Sequence, residues 1–203
     1  VWNGWKAQLL RDLYYSAQEH IAGTTTQEVR MNRVASAKEK LKELLKEWKN
    51  TDIEAHLAKG YDDYWLSYDT PSHLHHARIV SEADEKGQNV TIVDRVDTER
   101  EVSEVVIYTH DHPGVFARIA GAMSLTNATI LDARISTLTH GMALDTFWVQ
   151  DISGGPFKKK EDLKTKKGIY NLQLIIYAIG FIEKKKKNSV KCGIISLKNM
   201  QGG

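Results

Sequence analysis

Ser103-Glu104-Val105-Val106-Ile107-Tyr108-Thr109 is a β-branched apolar run, and His110-Asp111-His112-Pro113-Gly114 follows it as a tight loop. From Val115 to Ser124, Phe116, Ile119, Ala120 and Met123 then recur at the spacing that lines one face of a helix. Between Thr129 and Leu138, Leu131, Ala133 and Ile135 alternate with Asp132, Arg134 and Ser136, as a half-buried strand requires. Thr139-His140-Gly141 reads as a turn, and Met142 to Gln150 as a further strand. The order β-α-β-β is the first part of a ferredoxin-like unit, which one more helix and one more edge strand would complete.

Upstream of this stretch the apolar period changes from about two residues to about 3.6. Leu9, Leu10, Leu13, Tyr14 and Ala17 share one face of a helix that starts near Trp5 and ends at Ala22-Gly23. Thr24-Thr25-Thr26 offers an N-cap for a second helix, with Val34, Leu41, Leu44, Leu45 and Trp48 as its buried stripe. A short helix at Ile53–Ala58 leads to the aromatic joint Gly60–Leu66, and a longer one follows through His73–Ala83, opened by Pro71 and capped by Asp69 or Thr70. Gly87 marks the change, after which Val90, Ile92 and Val93 read as strand. The fold class expected is α+β, a helical segment over residues 1–87 followed by a ferredoxin-like βαββ unit over 88–157.

Composition narrows the class. A hydrophobic share of 41% in 203 residues can bury a core, which excludes a disordered chain. The single cysteine, Cys192, excludes a disulfide framework within the chain and fits a reducing compartment. No apolar run reaches the roughly 18 residues of a membrane span, so a soluble, cytoplasmic chain is expected. Val1-Trp2-Asn3-Gly4-Trp5 has neither a signal peptide's pattern nor an initiator methionine, and reads as a piece of something longer. The formal charge of +2 conceals a division. Residues 1–157 carry 16 Lys and Arg against 23 Asp and Glu, whereas 158–203 carry 12 against 3.

Thr109-His110-Asp111-His112-Pro113-Gly114-Val115-Phe116-Ala117-Arg118-Ile119-Ala120-Gly121 resembles the signature of ACT domains, the small ligand-sensing modules of amino-acid-controlled enzymes. Ile130–Ile135 and Gly141–Asp151 resemble more closely the first ACT domain of the bacterial bifunctional uridylyltransferase/uridylyl-removing enzymes, which act on the PII nitrogen-signalling protein. Val1–Tyr15 is similar to the end of their HD-type hydrolase domain, and Tyr64–Ser67 with His75–Arg78 fits their connector. The resemblance covers about residues 1–157. It implies a regulatory segment without the family's nucleotidyltransferase or HD catalytic motifs, inactive on its own, from an enzyme that uses a divalent metal such as Mg2+. It further implies glutamine as effector, PII as the partner of the parent enzyme, ACT–ACT pairing, and no bound cofactor, membrane or nucleic acid. A stand-alone amino-acid-binding or dimerising ACT module is the alternative, and a nucleic-acid-associated protein using the basic tail is a further rival.

Within that frame the candidate ligand site is Asp111, His112, Pro113, Gly114, Val115, Phe116 and Thr129. A free amino acid would set its carboxylate on amides at the helix N-terminus and its ammonium on a nearby acidic or carbonyl group. Asp111 is expected to cap the helix, and Gly114 to let a ligand approach the backbone. Many ACT domains read Gly-Ala-Asn where this chain has Asn127-Ala128-Thr129, so Thr129 takes the Asn position. His110-Asp111 lies in a loop and reads poorly as a metal dyad. His73 and His76 could share a helix face, with a partly exposed structural role favoured. Ala117 and Gly121 form a small-residue strip suited to helix packing, and Phe147 and Trp148 read as core and interface. Residues 158–203, rich in Lys, Ile and Asn, depart from the family and read as a frameshifted or truncated product of A/T-rich DNA that leaves the sheet without its fourth strand.

Overall fold

The computed structural model describes Leu10, Leu13, Tyr14, Ala17, Ile21 and residues 26–125 and 128–157. The expectations for Thr24, Thr25, Asn127, Cys192 and the tail after Phe157 lie outside the described residues. Leu10, Leu13, Tyr14, Ala17 and Ile21 are helical, and all are exposed. Helix α1 (Thr26–Leu44) buries Val34 and Leu41, and Leu45 is buried just beyond its end. Leu44, expected in the same stripe, is 51% exposed, because it falls on the flank of the Leu41–Leu45 line. Helices α2 (Asn50–Leu57) and α3 (Asp62–Ser67) follow.

Helix α4 (Thr70–Glu85) starts as the sequence predicts: the Ser72 amide donates to Asp69 Oδ1 at 2.9 Å, and Pro71 sits in the first turn. It ends on Gly87 at φ +59°, with Gln88 N–H donating to the Ala83 carbonyl at 2.9 Å and Gly87 N–H to Asp84 at 3.1 Å. This paired closure needs a left-handed residue, which glycine supplies without a Cβ penalty.

Strands β1 (Val90–Asp97), β2 (Val102–His110), β3 (Thr129–Arg134) and β4 (Met142–Gln150) form one sheet in the order β1-β2-β4-β3, every neighbouring pair antiparallel. Helix α5 (Val115–Leu125) connects β2 to β3. The α+β reading, a helical segment followed by an incomplete ferredoxin-like unit, is thus met, and one expectation is corrected. The edge beside β2 is not left open, because β1 pairs with residues 102–109 of it, from Val90↔Thr109 to Asp97↔Val102.

The sheet separates two apolar clusters. Val102, Val106, Tyr108, Leu144 and Trp148 face the helical segment and meet Leu41, Leu45, Trp65, Ala77 and Val80. Val105, Ile107, Phe147 and Val149 face α5 and meet Ile119 and Met123. Burial on both faces explains why β2 and β4 read as nearly continuous apolar runs. Trp148 is therefore core, not an interface: it is 2% exposed, and its Nε1 donates to Glu104 at 3.2 Å.

Strand β3 is shorter than expected and bulged between Ile130 and Asp132. The extra residue turns Leu131 toward the helical cluster while Ile130 and Ala133 stay on the α5 side, which breaks the alternation seen in the sequence. Beyond it, Thr137 forms one isolated bridge with Ala143. On α5, Ile119 and Met123 are buried as predicted, but Phe116, Ala117 and Gly121 are exposed, so among the described residues the small-residue strip packs no second helix. Among the described residues no helix is long and apolar enough to cross a membrane.

Candidate functional site

Strand β2 delivers His110 to the rim of the sheet, and the chain then loops through residues 111–114 into α5. The Asp111 amide donates to the Gly141 carbonyl at 3.0 Å, and Asp111 Oδ2 accepts from the Thr137 hydroxyl at 2.7 Å. The expected cap is corrected. Arg118 N–H bonds to the Gly114 carbonyl at 3.1 Å, so Gly114 precedes the helix and Asp111 lies three residues too early to reach its amides. Gly114 has φ +84° and open space where a Cβ would stand, which leaves the backbone there approachable. Pro113 is exposed, and His112 and Val115 are half-buried. Phe116 stacks on Phe147 with ring centroids 5.9 Å apart.

Thr129 does not join this group. It pairs with Gln150 at one end of β4, while His110 pairs with Met142 at the other, about 26 Å away along the strand.

The residue missing from the sequence-based set is Asp145. It sits in β4 opposite Ile107, is 0% exposed, and neither carboxylate oxygen has a hydrogen bond of normal geometry to the described residues. Burial pushes its carboxyl up to about 7; the Ser136 amide works against that shift and Asp111 adds to it. The signal was present, since an acidic residue interrupts the apolar run Met142-Ala143-Leu144-Asp145-Thr146-Phe147-Trp148-Val149.

The 137–141 turn ties the loop to the helical segment. On one side it holds Asp111; on the other, Thr139 N–H donates to the Lys59 carbonyl at 2.8 Å and its hydroxyl to Ala58 at 3.1 Å. Close by, the Tyr108 hydroxyl donates to Asp84 at 2.9 Å and lies 2.9 Å from His140 Nε2, and Lys59 pairs with Asp84.

The helix histidines are placed elsewhere and otherwise than expected. His73 and His76 are fully buried, not partly exposed, among Tyr64, Trp65 and Tyr68. His76 lies 3.4 Å from the Tyr64 hydroxyl and 3.3 Å from that of Thr146. Burial lowers both imidazoles and brings His56 down to about 4. Among the described residues no group of three or more His, Cys, Asp and Glu side chains could hold a metal ion.

Comparison with known proteins gives the setting of this loop. The chain is 43% identical over 161 residues to the bifunctional uridylyltransferase/uridylyl-removing enzyme of Rhodospirillum rubrum, covering 79% of the chain and 17% of that enzyme. It is 43% identical over 154 residues to the same-named enzyme of Azospirillum brasilense (76% and 16%), and 42% over 164 to that of Gluconobacter oxydans (80% and 17%). The chain is a homologue of part of the bifunctional uridylyltransferase/uridylyl-removing enzymes. It spans about one sixth of the length of these curated relatives. Matches that cover three quarters or more of the chain necessarily include the sheet and the 110–116 loop. No family model matches the chain.

Proposed function

We propose that this chain is the regulatory, amino-acid-sensing segment of a cytoplasmic bifunctional uridylyltransferase/uridylyl-removing enzyme. In this reading residues 1–87 are the end of the hydrolase domain and the connector, and residues 88–157 an ACT module. Glutamine bound at the 111–116 loop shifts the parent enzyme between transfer of UMP to PII and its removal. The observation that carries the reading is the loop itself: an open backbone at Gly114 beside a helix N-terminus, above an acidic side chain, in a chain 43% identical to enzymes of that name. The 137–141 turn supplies a route to the helical segment, and an effector needs only a differential affinity of a few kcal/mol between two states to use it. Catalysis and the divalent metal are assigned to the rest of the parent enzyme; the described residues here do not fit a metal site, and no step is placed through one.

Calorimetric titration of the 203-residue chain with L-glutamine tests this. Saturable binding that is lost when Gly114 is replaced by a bulky residue such as Leu is the expected result. Absence of any heat or thermal shift at millimolar glutamine sinks the reading.

A further inference from the structure

Asp145 differs from the other buried polar groups of the sheet. Glu104 has Arg95 at 2.7 Å and the Trp148 indole at 3.2 Å, and Thr146 has the Tyr68 hydroxyl at 3.2 Å. Asp145 has no side-chain partner or counter-charge among the described residues, only the Ser136 amide beside it, although it is 0% exposed. Burying a carboxylate without a donor or counter-charge is costly, and such a group survives either by remaining protonated or by meeting a cation.

Its position follows from its neighbours. Ala143, Asp145 and Phe147 alternate onto the α5 face of β4. Phe147 is covered by the ring of Phe116, from the first turn of α5. Ala143 is bridged to Thr137, whose hydroxyl holds Asp111. Asp145 therefore lies beneath the 111–116 loop, between the points where its two ends are fastened. From there the loop offers the positive end of an eleven-residue helix, and the strand below offers a negative group.

We infer that Asp145 is the specificity-determining residue of this site: it receives the primary ammonium group of a zwitterionic amino acid whose carboxylate meets the backbone at the start of α5. The inference rests on the amino-acid-sensing reading above. It restricts the ligand class to free α-amino acids and excludes the corresponding 2-oxo acids, which present the same carboxylate and side chain without a cation. The raised carboxyl of Asp145 agrees with this, since a neutral acid in the empty site becomes a charged partner when an ammonium arrives.

The test is calorimetric titration of the full chain and of Asp145→Asn with L-glutamine and with its 2-oxo acid counterpart. The full chain should bind glutamine and reject the 2-oxo acid. Asp145→Asn keeps shape and hydrogen-bonding capacity, should fold as judged by circular dichroism, and should bind glutamine roughly 10- to 100-fold more weakly, the scale of one charge-assisted hydrogen bond. Binding by Asp145→Asn within about threefold of the full chain overturns the role of Asp145 and leaves the sensing reading standing. So does equal binding of the amino acid and the 2-oxo acid by the full chain, a measurement that needs no variant. If the full chain binds neither compound, the sensing reading fails and this inference with it.

Discussion

The two faces of the sheet bury polar groups in different ways. Toward α1–α4, polar side chains mostly meet one another: Arg95 with Glu104, Tyr108 with Asp84, and Thr146 with Tyr68 and His76. Where a partner is missing there, as at His73, the group is an imidazole that burial keeps neutral among aromatic rings. Toward α5 the acid Asp145 lies under a loop with no side-chain donor or counter-charge among the described residues. A neutral ring loses less by going without a partner than a carboxylate, which must give up its charge or find a counter-charge. The first face is a set of matched polar groups, and the second holds the group on which the proposed ligand site rests.

The largest expected effect breaks the helical face. Trp65 is 1% exposed, donates to the Gly60 carbonyl at 3.0 Å and touches Tyr64 and His73 edge-on or tilted. Trp65→Ala should cost about 3–5 kcal/mol in urea denaturation. Glutamine binding per folded molecule should survive, because the loop lies on the other side of the sheet. Joint loss of binding in the molecules that remain folded contradicts the separation of the two faces.

The faces should next diverge with pH. The imidazoles of His56, His73 and His76 are lowered in the folded chain, so from about pH 6.5 downward the unfolded chain takes up protons that the native one refuses. Their stabilisation is complete above pH 6.5 and drains as the pH falls toward 4, on the order of 3 kcal/mol from His56 alone. Asp145 runs the other way. Its raised carboxyl favours folding below pH 3.8, a contribution lost as the pH rises to about 7. Asp145→Asn should therefore be more stable than the parent at pH 7 and equal to it near pH 3.5, as read from denaturation midpoints across that range. A pH-independent difference would mean that Asp145 is not the titrating group.

The smallest effect concerns the link between the faces. Thr139→Val removes the hydroxyl bond to Ala58 but keeps the shape and the amide bond to Lys59, and should cost about 1 kcal/mol. Amide exchange at Asp111, bonded to Gly141 in the same turn, should quicken if the turn couples the two regions. Unchanged exchange there would show that the loop is held independently of the helices.

Local signals carried much of this structure. Asp69, Pro71 and Gly87 bound α4 because capping and left-handed backbone depend on residues within one turn. Met142–Gln150 and the turn at Gly141 were legible for the same reason. The β1 edge was not, because pairing Val90 with Thr109 is a matter of partner choice between strands, and nothing in either strand names the other. Asp111 looked like a helix cap by type and position, yet Thr137, 26 residues away, takes its carboxylate.

The sequence by itself determined where helices stop, where strands start, and that a glycine-bearing loop opens α5, since period, caps and turns are local properties of the chain. The tertiary structure decided which polar groups are matched and which are left alone. His73 and His76 are core because α4 lies against the sheet, and Asp145 lacks a counter-charge among the described residues because the same sheet places it beneath a loop more than 28 residues distant in the chain. Burial and pairing are properties of surfaces brought together, and no window of sequence contains both sides of such a contact.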